Sequence, residues 1–207
     1  MENRFYALRL GGFVLLVYIL QLLFPGLTSL LGFKASVFPG RFWSILTSFF
    51  IHSPSDYMHL LNNLFFLAVF GTVMEHYTGS KRFILFFLVS GLFANLSAFF
   101  FYQNSMVLGA SGAVSGIVAF LAVYRPRRLG LFWGVPLPMW LVGFLWLLTN
   151  VLAFGSDAGI AFEAHVFGLL FGGLIGIIYR SGDRKQEDDE FEIDERTIRM
   201  WEDSYMG

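Results

Sequence analysis

The sequence predicts an all-α polytopic membrane protein with six transmembrane helices and a long first loop at the membrane interface. Its composition is the first observation: the 207 residues are 56% hydrophobic and 14% charged, whereas a soluble domain carries about a quarter charged residues. The second is a set of six apolar segments, each close to the roughly 20 residues that a helix needs to cross the hydrocarbon. These segments cover residues 10–31, 57–74, 83–102, 108–124, 137–154 and 160–179.

The first segment resembles a secretory signal, because the basic residues Arg4 and Arg9 come before an apolar run. No small-residue cleavage site follows it, so we interpret it as an uncleaved span. The loop 32–56 contains the apolar run RFWSILTSFFI, which is too short to cross the membrane. We expect this run to lie in the outer interface, with Arg41 and Trp43 near the headgroups.

Basic residues concentrate in alternate loops, and this pattern predicts the orientation of the spans. The loops on one side of the predicted membrane contain ten of them: Arg4, Arg9, Lys81, Arg82, Arg125, Arg127, Arg128, Arg180, Arg184 and Lys185. The loops on the other side contain only Lys34 and Arg41. Because cytoplasmic loops carry an excess of Lys and Arg, we expect a multi-pass protein of the cell membrane with both termini in the cytoplasm. Spans two, four and six then all run from outside to inside.

The charge distribution divides the chain into two parts. Residues 1–180 hold ten Lys/Arg and five Asp/Glu, while residues 181–207 hold four and ten. We therefore expect a membrane domain over 1–180 and an acidic, disordered cytoplasmic tail over 181–207. No basic surface large enough for nucleic acid is present. The absence of Cys excludes disulfides, thiolate chemistry and Cys-based metal sites.

Four polar residues inside the predicted spans are candidates for function, because polar groups at membrane depth are costly. His59 and Asn63 are four residues apart, hence on one helical face and about 6 Å apart along its axis. Ser111 lies near the start of span four and His165 near the start of span six. Since these three spans begin on the outer side, all four residues are expected at a similar shallow depth.

Glycines spaced four apart predict that spans four and six lie close together. They are Gly112 and Gly116 on span four, and Gly168, Gly172 and Gly176 on span six. Small residues at this spacing let two helices approach closely. Close packing of the two spans would bring Ser111 within hydrogen-bonding reach of His165.

Such a pair supports nucleophilic catalysis. A neutral imidazole can take the proton of a serine hydroxyl during attack on a carbonyl and return it to the leaving amine. His59, the amide of Asn63 and the backbone N–H of Ser111 are available to stabilise the oxyanion. Glu163 and Glu75 point elsewhere, so we predict a Ser–His dyad without an acid. A zinc site formed by His52, Asp56, His59 and His165 is the weaker alternative, because the gap from His52 to His59 is unusual for zinc ligands.

Four motifs resemble the rhomboid intramembrane serine proteases over residues 10–180. They are HLLNN (59–63), MEHYTGS (74–80), GASG (109–112) and AHVFGLLFG (164–172), in family order on the second, fourth and sixth spans. The resemblance implies hydrolysis of a peptide bond in or beside a transmembrane segment near the outer membrane face. It implies Ser111 as nucleophile, His165 as general base and acid, and His59, Asn63 and the Ser111 amide as oxyanion stabilisers. It also implies that no metal or organic cofactor takes part.

The resemblance also implies single-span membrane proteins as substrates, entering from the lipid past the fifth span and the loop after it. One departure concerns the catalytic histidine. Family members often place an aromatic residue four positions after the nucleophile, against this histidine, but here that position is Ser115. We therefore expect another side chain, such as a nearby Phe, to hold the His165 ring.

Two other functions compete with the protease. A catalytically inactive rhomboid-like protein would bind membrane clients without cleaving them, yet all four polar residues are present. A small transporter with a proton path through His59 and His165 would require ionisable residues at several depths, whereas these residues cluster at one.

Overall fold

The structure is a computed structural model that describes residues 5–156 and 159–190. Within these ranges, four helical segments are long and apolar enough to cross a membrane: Tyr6–Leu23, Tyr57–Thr78, Ser80–Phe101 and Phe162–Asp183. Two shorter apolar helices, Ser111–Tyr124 and Met139–Leu152, complete the bundle. The predicted class, a polytopic helical membrane protein, is confirmed, and the six helical segments correspond to the six predicted spans.

The first predicted span is two helices rather than one. Helix α1 covers Tyr6–Leu23 and a short helix α2 covers Gly26–Leu31. Pro25 separates them, and the preceding Phe24 has the non-helical angles φ −127° and ψ 81°. The ring of a proline disfavours helical angles in the residue before it. The first span, predicted at about residues 10–31, therefore ends earlier, at Leu23.

The N-terminal end of α1 is held by a buried carboxylate from the second span. The oxygens of Glu75 accept hydrogen bonds from the backbone N–H groups of Tyr6 and Ala7, both at 2.9 Å. Glu75 also accepts from the hydroxyl of Ser80. The first N–H groups of a helix have no partner within the helix, and a carboxylate there complements the helix dipole.

We expect Glu75→Ala to lower the free energy of unfolding by about 2–3 kcal/mol, because it removes charge-assisted hydrogen bonds and leaves buried donors unpaired. Glu75→Gln keeps one acceptor oxygen and should cost less. Denaturant titration of the protein in detergent micelles measures both losses. Equal stability of Glu75→Ala and the wild type would contradict this role for Glu75.

The first loop folds back on α2. It contains a 3₁₀ turn at Ala35–Val37, helix α3 at Ser44–Thr47 and a second 3₁₀ turn at Ser48–Phe50. Arg41 Nη1 donates to the carbonyl of Ser29 at 2.8 Å, and Trp43 Nε1 donates to that of Leu30 at 3.1 Å. Both side chains thus bind backbone oxygens near the end of α2, and their contact with lipid headgroups stays a prediction.

The second and third spans form a helical hairpin. Helix α4 (Tyr57–Phe66), a π-helical turn (Leu67–Gly71) and α5 (Thr72–Thr78) make up the second span. Helices α6 (Ser80–Asn95) and α7 (Ala98–Phe101) make up the third. The side chain of Asp56 caps α4 by accepting from the backbone N–H of His59 at 3.1 Å, which fixes the start of the helix that carries His59 and Asn63.

A β-hairpin, which the sequence analysis did not predict, separates the fourth and fifth spans. Helix α8 covers Ser111–Tyr124, strands β1 (Leu129–Phe132) and β2 (Val135–Pro138) pair in antiparallel fashion, and α9 covers Met139–Leu152. The turn residues Trp133 and Gly134 have φ angles of 49° and 82°. Positive φ at both positions is the geometry of a two-residue turn whose twist matches the strands.

The last helix continues past the boundary predicted for the membrane domain. Helix α10 covers Phe162–Glu190. Asp183, which the charge distribution assigned to the tail, lies on this helix and forms an ion pair with Arg125 at 2.8 Å. Residues 191–207 lie outside the described residues, so the disorder of the acidic tail stays a prediction.

Glycines bring α8 and α10 into backbone contact. A Cβ atom at Gly168 would collide with the carbonyl of Gly112, and one at Gly172 with the carbonyl of Gly116. One turn further along, a Cβ at Gly176 would lie 2.9 Å from the carbonyl oxygen of Phe120. Contacts that advance together along both helices show that α8 and α10 run parallel, so both begin at the same end of the bundle.

Candidate active site

A cavity of about 590 Å³ opens where α4, α8, α9 and α10 meet. All four polar residues predicted from the sequence line it: His59, Asn63, Ser111 and His165. The parallel start of α8 and α10 places Ser111 and His165 near the same end of the bundle. The structure thus brings the four side chains together around one space.

Ser111 is the first residue of α8. Two positions earlier, Gly109 has a φ angle of 106°, a conformation that side chains rarely adopt. A Cβ at Gly109 would lie 2.7 Å from Cε1 of His59, so the absence of a side chain lets the His59 ring lie against this loop. Because the first N–H groups of a helix have no partner inside it, the start of α8 offers donors to a negative charge beside Ser111.

Asn63 and His59 are linked on α4. Asn63 Nδ2 donates to the backbone carbonyl of His59 at 2.8 Å. This bond uses one amide hydrogen and leaves the other for a ligand in the cavity. The Oδ1 atom of Asn63 is buried and has no hydrogen-bond partner among the described residues.

His52 lies behind His59, and its ring is fully buried. The two ring centroids are 5.1 Å apart. Burial, and to a lesser extent charge on His59, lower the pKa of His52 to about 3. His52 is therefore neutral at neutral pH and places an uncharged ring beside His59.

His165 has two neighbours that orient its ring. Nδ1 of His165 lies 2.7 Å from Oδ1 of Asn150 on α9. The ring of Phe162, one turn earlier on α10, meets the imidazole edge to face at 6.1 Å between centroids. The expectation that a nearby Phe contacts the His165 ring is met by Phe162.

The structure contains no hydrogen bond between Ser111 and His165, both of which it describes. The two side chains line the same cavity. Catalytic hydrogen bonds are often long in unliganded enzymes and tighten when substrate binds. Ser111 and His165 line one cavity, and the dyad itself stays a prediction.

Asn150 is the site residue that the sequence analysis missed. The available signal was an amide in the middle of an apolar segment, the same signal that singled out Asn63. Ser115, the position where an aromatic was expected, accepts a hydrogen bond from Trp146 Nε1 at 3.2 Å. The fifth span therefore supplies partners to both neighbours of the site, α8 and α10.

Glu163 has another role than acid partner of His165. Its carboxylate is buried and accepts from the backbone N–H of Gly155 at 2.8 Å, which ties the loop after α9 to the start of α10. Among the residues that the structure describes, no group of three His, Asp or Glu side chains could hold a metal ion. The zinc alternative thus has no assembled donor set in the described part of the chain.

Comparison with known proteins identifies the fold. The family model described as Rhomboid domain matches residues 39–182. "RHOMBOID-like protein 6, mitochondrial" of Arabidopsis thaliana is 28% identical over 144 residues, which are 66% of this chain and 43% of that protein. "Putative rhomboid protease YdcA" of Bacillus subtilis is 26% identical over 151 residues, 71% of this chain and 72% of that protein.

A third relative, "Rhomboid-like protease 1" of Toxoplasma gondii, is 28% identical over 168 residues, 76% of this chain and 55% of that protein. The matches thus span between two fifths and three quarters of these relatives' own lengths. The family match covers most of the chain, including all four helices that line the cavity. With its polytopic helical fold and this match, the chain belongs to the rhomboid family.

Proposed function

We propose that this protein is an intramembrane serine endopeptidase that cleaves membrane-protein substrates near the outer membrane face. Ser111 is the nucleophile and His165 the general base and acid. His59, Asn63 and the backbone N–H of Ser111 stabilise the oxyanion. The observation that carries the proposal is that one cavity, which reaches the start of α8 and α10, is lined by all four of these residues.

In the proposed mechanism, Ser111 Oγ attacks the scissile carbonyl carbon while His165 Nε2 takes the hydroxyl proton. The resulting oxyanion accepts hydrogen bonds from the Ser111 N–H, the free amide hydrogen of Asn63 and the His59 ring. Collapse of this intermediate breaks the C–N bond, and His165 returns the proton to the leaving amine. Water then repeats the attack on the acyl-enzyme, with His165 again as base, and releases Ser111.

We propose that substrates with a single transmembrane segment enter the cavity from the lipid past α9. The cavity extends from the start of α8 and α10 to Phe132 and Trp133 of the hairpin and is bordered by α9. The exposed face of α9 carries apolar residues such as Trp140, Phe144 and Leu148. A segment in the lipid would reach Ser111 past this helix and the loop that follows it. We further propose residence in the cell membrane with both termini cytoplasmic, on the distribution of Lys and Arg between the loops.

A fluorophosphonate probe tests the nucleophile directly. We expect the wild-type protein in detergent to be labelled covalently and Ser111→Ala to show no labelling, since the probe needs an activated hydroxyl. Ser181→Ala, at an exposed serine of α10 that does not line the cavity, is the control and should still be labelled. Labelling that survives Ser111→Ala would refute the assignment.

The same labelling experiment distinguishes the proposed protease function from the alternative function, in which the protein binds membrane-protein clients without cleaving them. The names of the Bacillus and Toxoplasma relatives include the word protease, whereas the Arabidopsis relative is named only as rhomboid-like. Complete absence of labelling in the wild type, together with retained binding of a membrane-protein client, would favour the client-binding function.

A further inference from the structure

Asn150 on α9 contacts His165, although a Ser–His dyad needs no third residue. Its side chain is 5% exposed and lies at the contact between α9 and α10, beside a ring nitrogen of His165. A buried amide in a membrane span is costly unless its polar atoms find partners. Here both polar atoms of the amide, Nδ2 and Oδ1, have a hydrogen-bond partner.

The hydrogen bonds fix which way the amide points. Asn150 Nδ2 donates to the backbone carbonyl of Trp146 at 2.7 Å. A carbonyl can only accept, so the nitrogen of the amide must face Trp146 and the oxygen must face His165. The oxygen in turn can only accept, so Nδ1 of His165, at 2.7 Å from it, must carry the ring proton.

This proton position decides the chemistry of the other ring nitrogen. With the proton on Nδ1, a neutral imidazole keeps its lone pair on Nε2, the atom that must take the proton of Ser111. We infer that Asn150 is a positioning residue, which holds His165 in the tautomer and ring orientation that a general base needs. The inference rests on the proposed function and adds to it a third member that is an amide rather than a carboxylate.

The position of Asn150 on α9 is itself held. Trp146, one turn earlier on the same face, donates to Ser115 on α8 at 3.2 Å. Ser115 is the position at which the family resemblance leads us to expect an aromatic residue that packs against His165. The fifth span thus contacts α8 through Trp146 and α10 through Asn150. The contact of Asn150 with His165 orients the imidazole in place of the missing aromatic residue.

Nitrogen-15 NMR of the histidine rings tests the inference without a substitution at Asn150. The chain has four histidines, so the spectrum of the histidine-labelled protein in lipid vesicles is sparse, and His165→Asn identifies the His165 signals by their loss. We expect the wild type at neutral pH to show the proton of His165 on Nδ1. A proton on Nε2 of the wild-type ring would overturn the inference.

Kinetics then test the consequence for catalysis. Asn150→Leu keeps a similar volume and removes the acceptor, so we expect kcat for a membrane substrate in proteoliposomes to fall about 10- to 100-fold with little change in KM. The same variant should show the Nε2–H form of His165 in the NMR spectrum. Leu174→Ala, at an exposed residue of α10 that does not line the cavity, serves as the control and should keep wild-type kinetics.

The outcomes separate this inference from the proposed function. Unchanged kcat and an unchanged ring spectrum in Asn150→Leu, with Ser111-dependent labelling intact, would overturn the role of Asn150 and leave the protease standing. A fall in kcat that leaves the proton on Nδ1 would also overturn it, because the loss would then be structural. Labelling that does not depend on Ser111 would instead refute the proposed function.

Discussion

His165→Ala is expected to lower kcat/KM for cleavage of a membrane substrate by roughly 10²- to 10⁴-fold, the usual contribution of a positioned general base. The substitution removes the group that takes the Ser111 proton and protonates the leaving amine. The measurement compares initial cleavage rates in proteoliposomes of equal protein content. Since binding of the transmembrane segment does not involve the imidazole, KM should change little.

His76→Ala is the matched control for this prediction. His76 is an exposed histidine near the other end of the second span, and its removal should leave cleavage within about twofold of the wild type. The double variant Ser111→Ala/His165→Ala sharpens the test, because residues that act as one unit are not additive. A double variant much slower than either single variant, or equal cleavage by His165→Ala and wild type, would contradict the dyad.

Gly172→Ala is expected to be the most disruptive small substitution in the bundle. Its new Cβ would collide with the backbone carbonyl of Gly116, which no side-chain movement can relieve. Helices α8 and α10 would have to separate, and overpacking of this kind costs about 1–3 kcal/mol or more. Separation also moves His165 away from Ser111, so fluorophosphonate labelling should slow together with the loss of stability.

Gly173→Ala provides the matched control, because it is the same substitution at the next residue of the same helix. A Cβ at Gly173 has no heavy atom within 4 Å, and alanine favours helix over glycine by about 1 kcal/mol. This variant should therefore be at least as stable as the wild type in denaturant titration and should label at the wild-type rate. If Gly172→Ala behaved like Gly173→Ala, the backbone contact of α8 and α10 would be disproved.

Much of the fold could be predicted from the sequence, because the bilayer restricts the length and composition of a transmembrane helix. Apolar runs near 20 residues located all six helical segments, and the glycine spacing predicted the close contact of α8 and α10. The errors occur where local backbone chemistry competes with hydropathy. Pro25 divides the first span, and the hairpin of β1 and β2 lies in a stretch whose apolar character was assigned partly to the fifth span.

The start of α8, beside the candidate active site, is another place where local backbone conformation overrides hydropathy. The fourth span was expected from residue 108, but α8 begins at Ser111, because Gly109 adopts a positive φ angle that a helix cannot contain. The difference of three residues matters for the chemistry. It places Ser111 at the first turn of the helix, where backbone N–H groups are free, rather than one turn inside it.

The sequence alone determined which side chains carry the proposed chemistry. Polar residues are so costly in a membrane span that Ser111, His165, His59 and Asn63 are conspicuous without any coordinates. The tertiary structure decided how these groups are oriented. That Asn150 faces Nδ1 of His165, and that Trp146 binds Ser115, depends on the rotation of α9 against its neighbours. Hydropathy places a helix in the membrane but leaves its rotation free, and side-chain packing between helices sets that rotation.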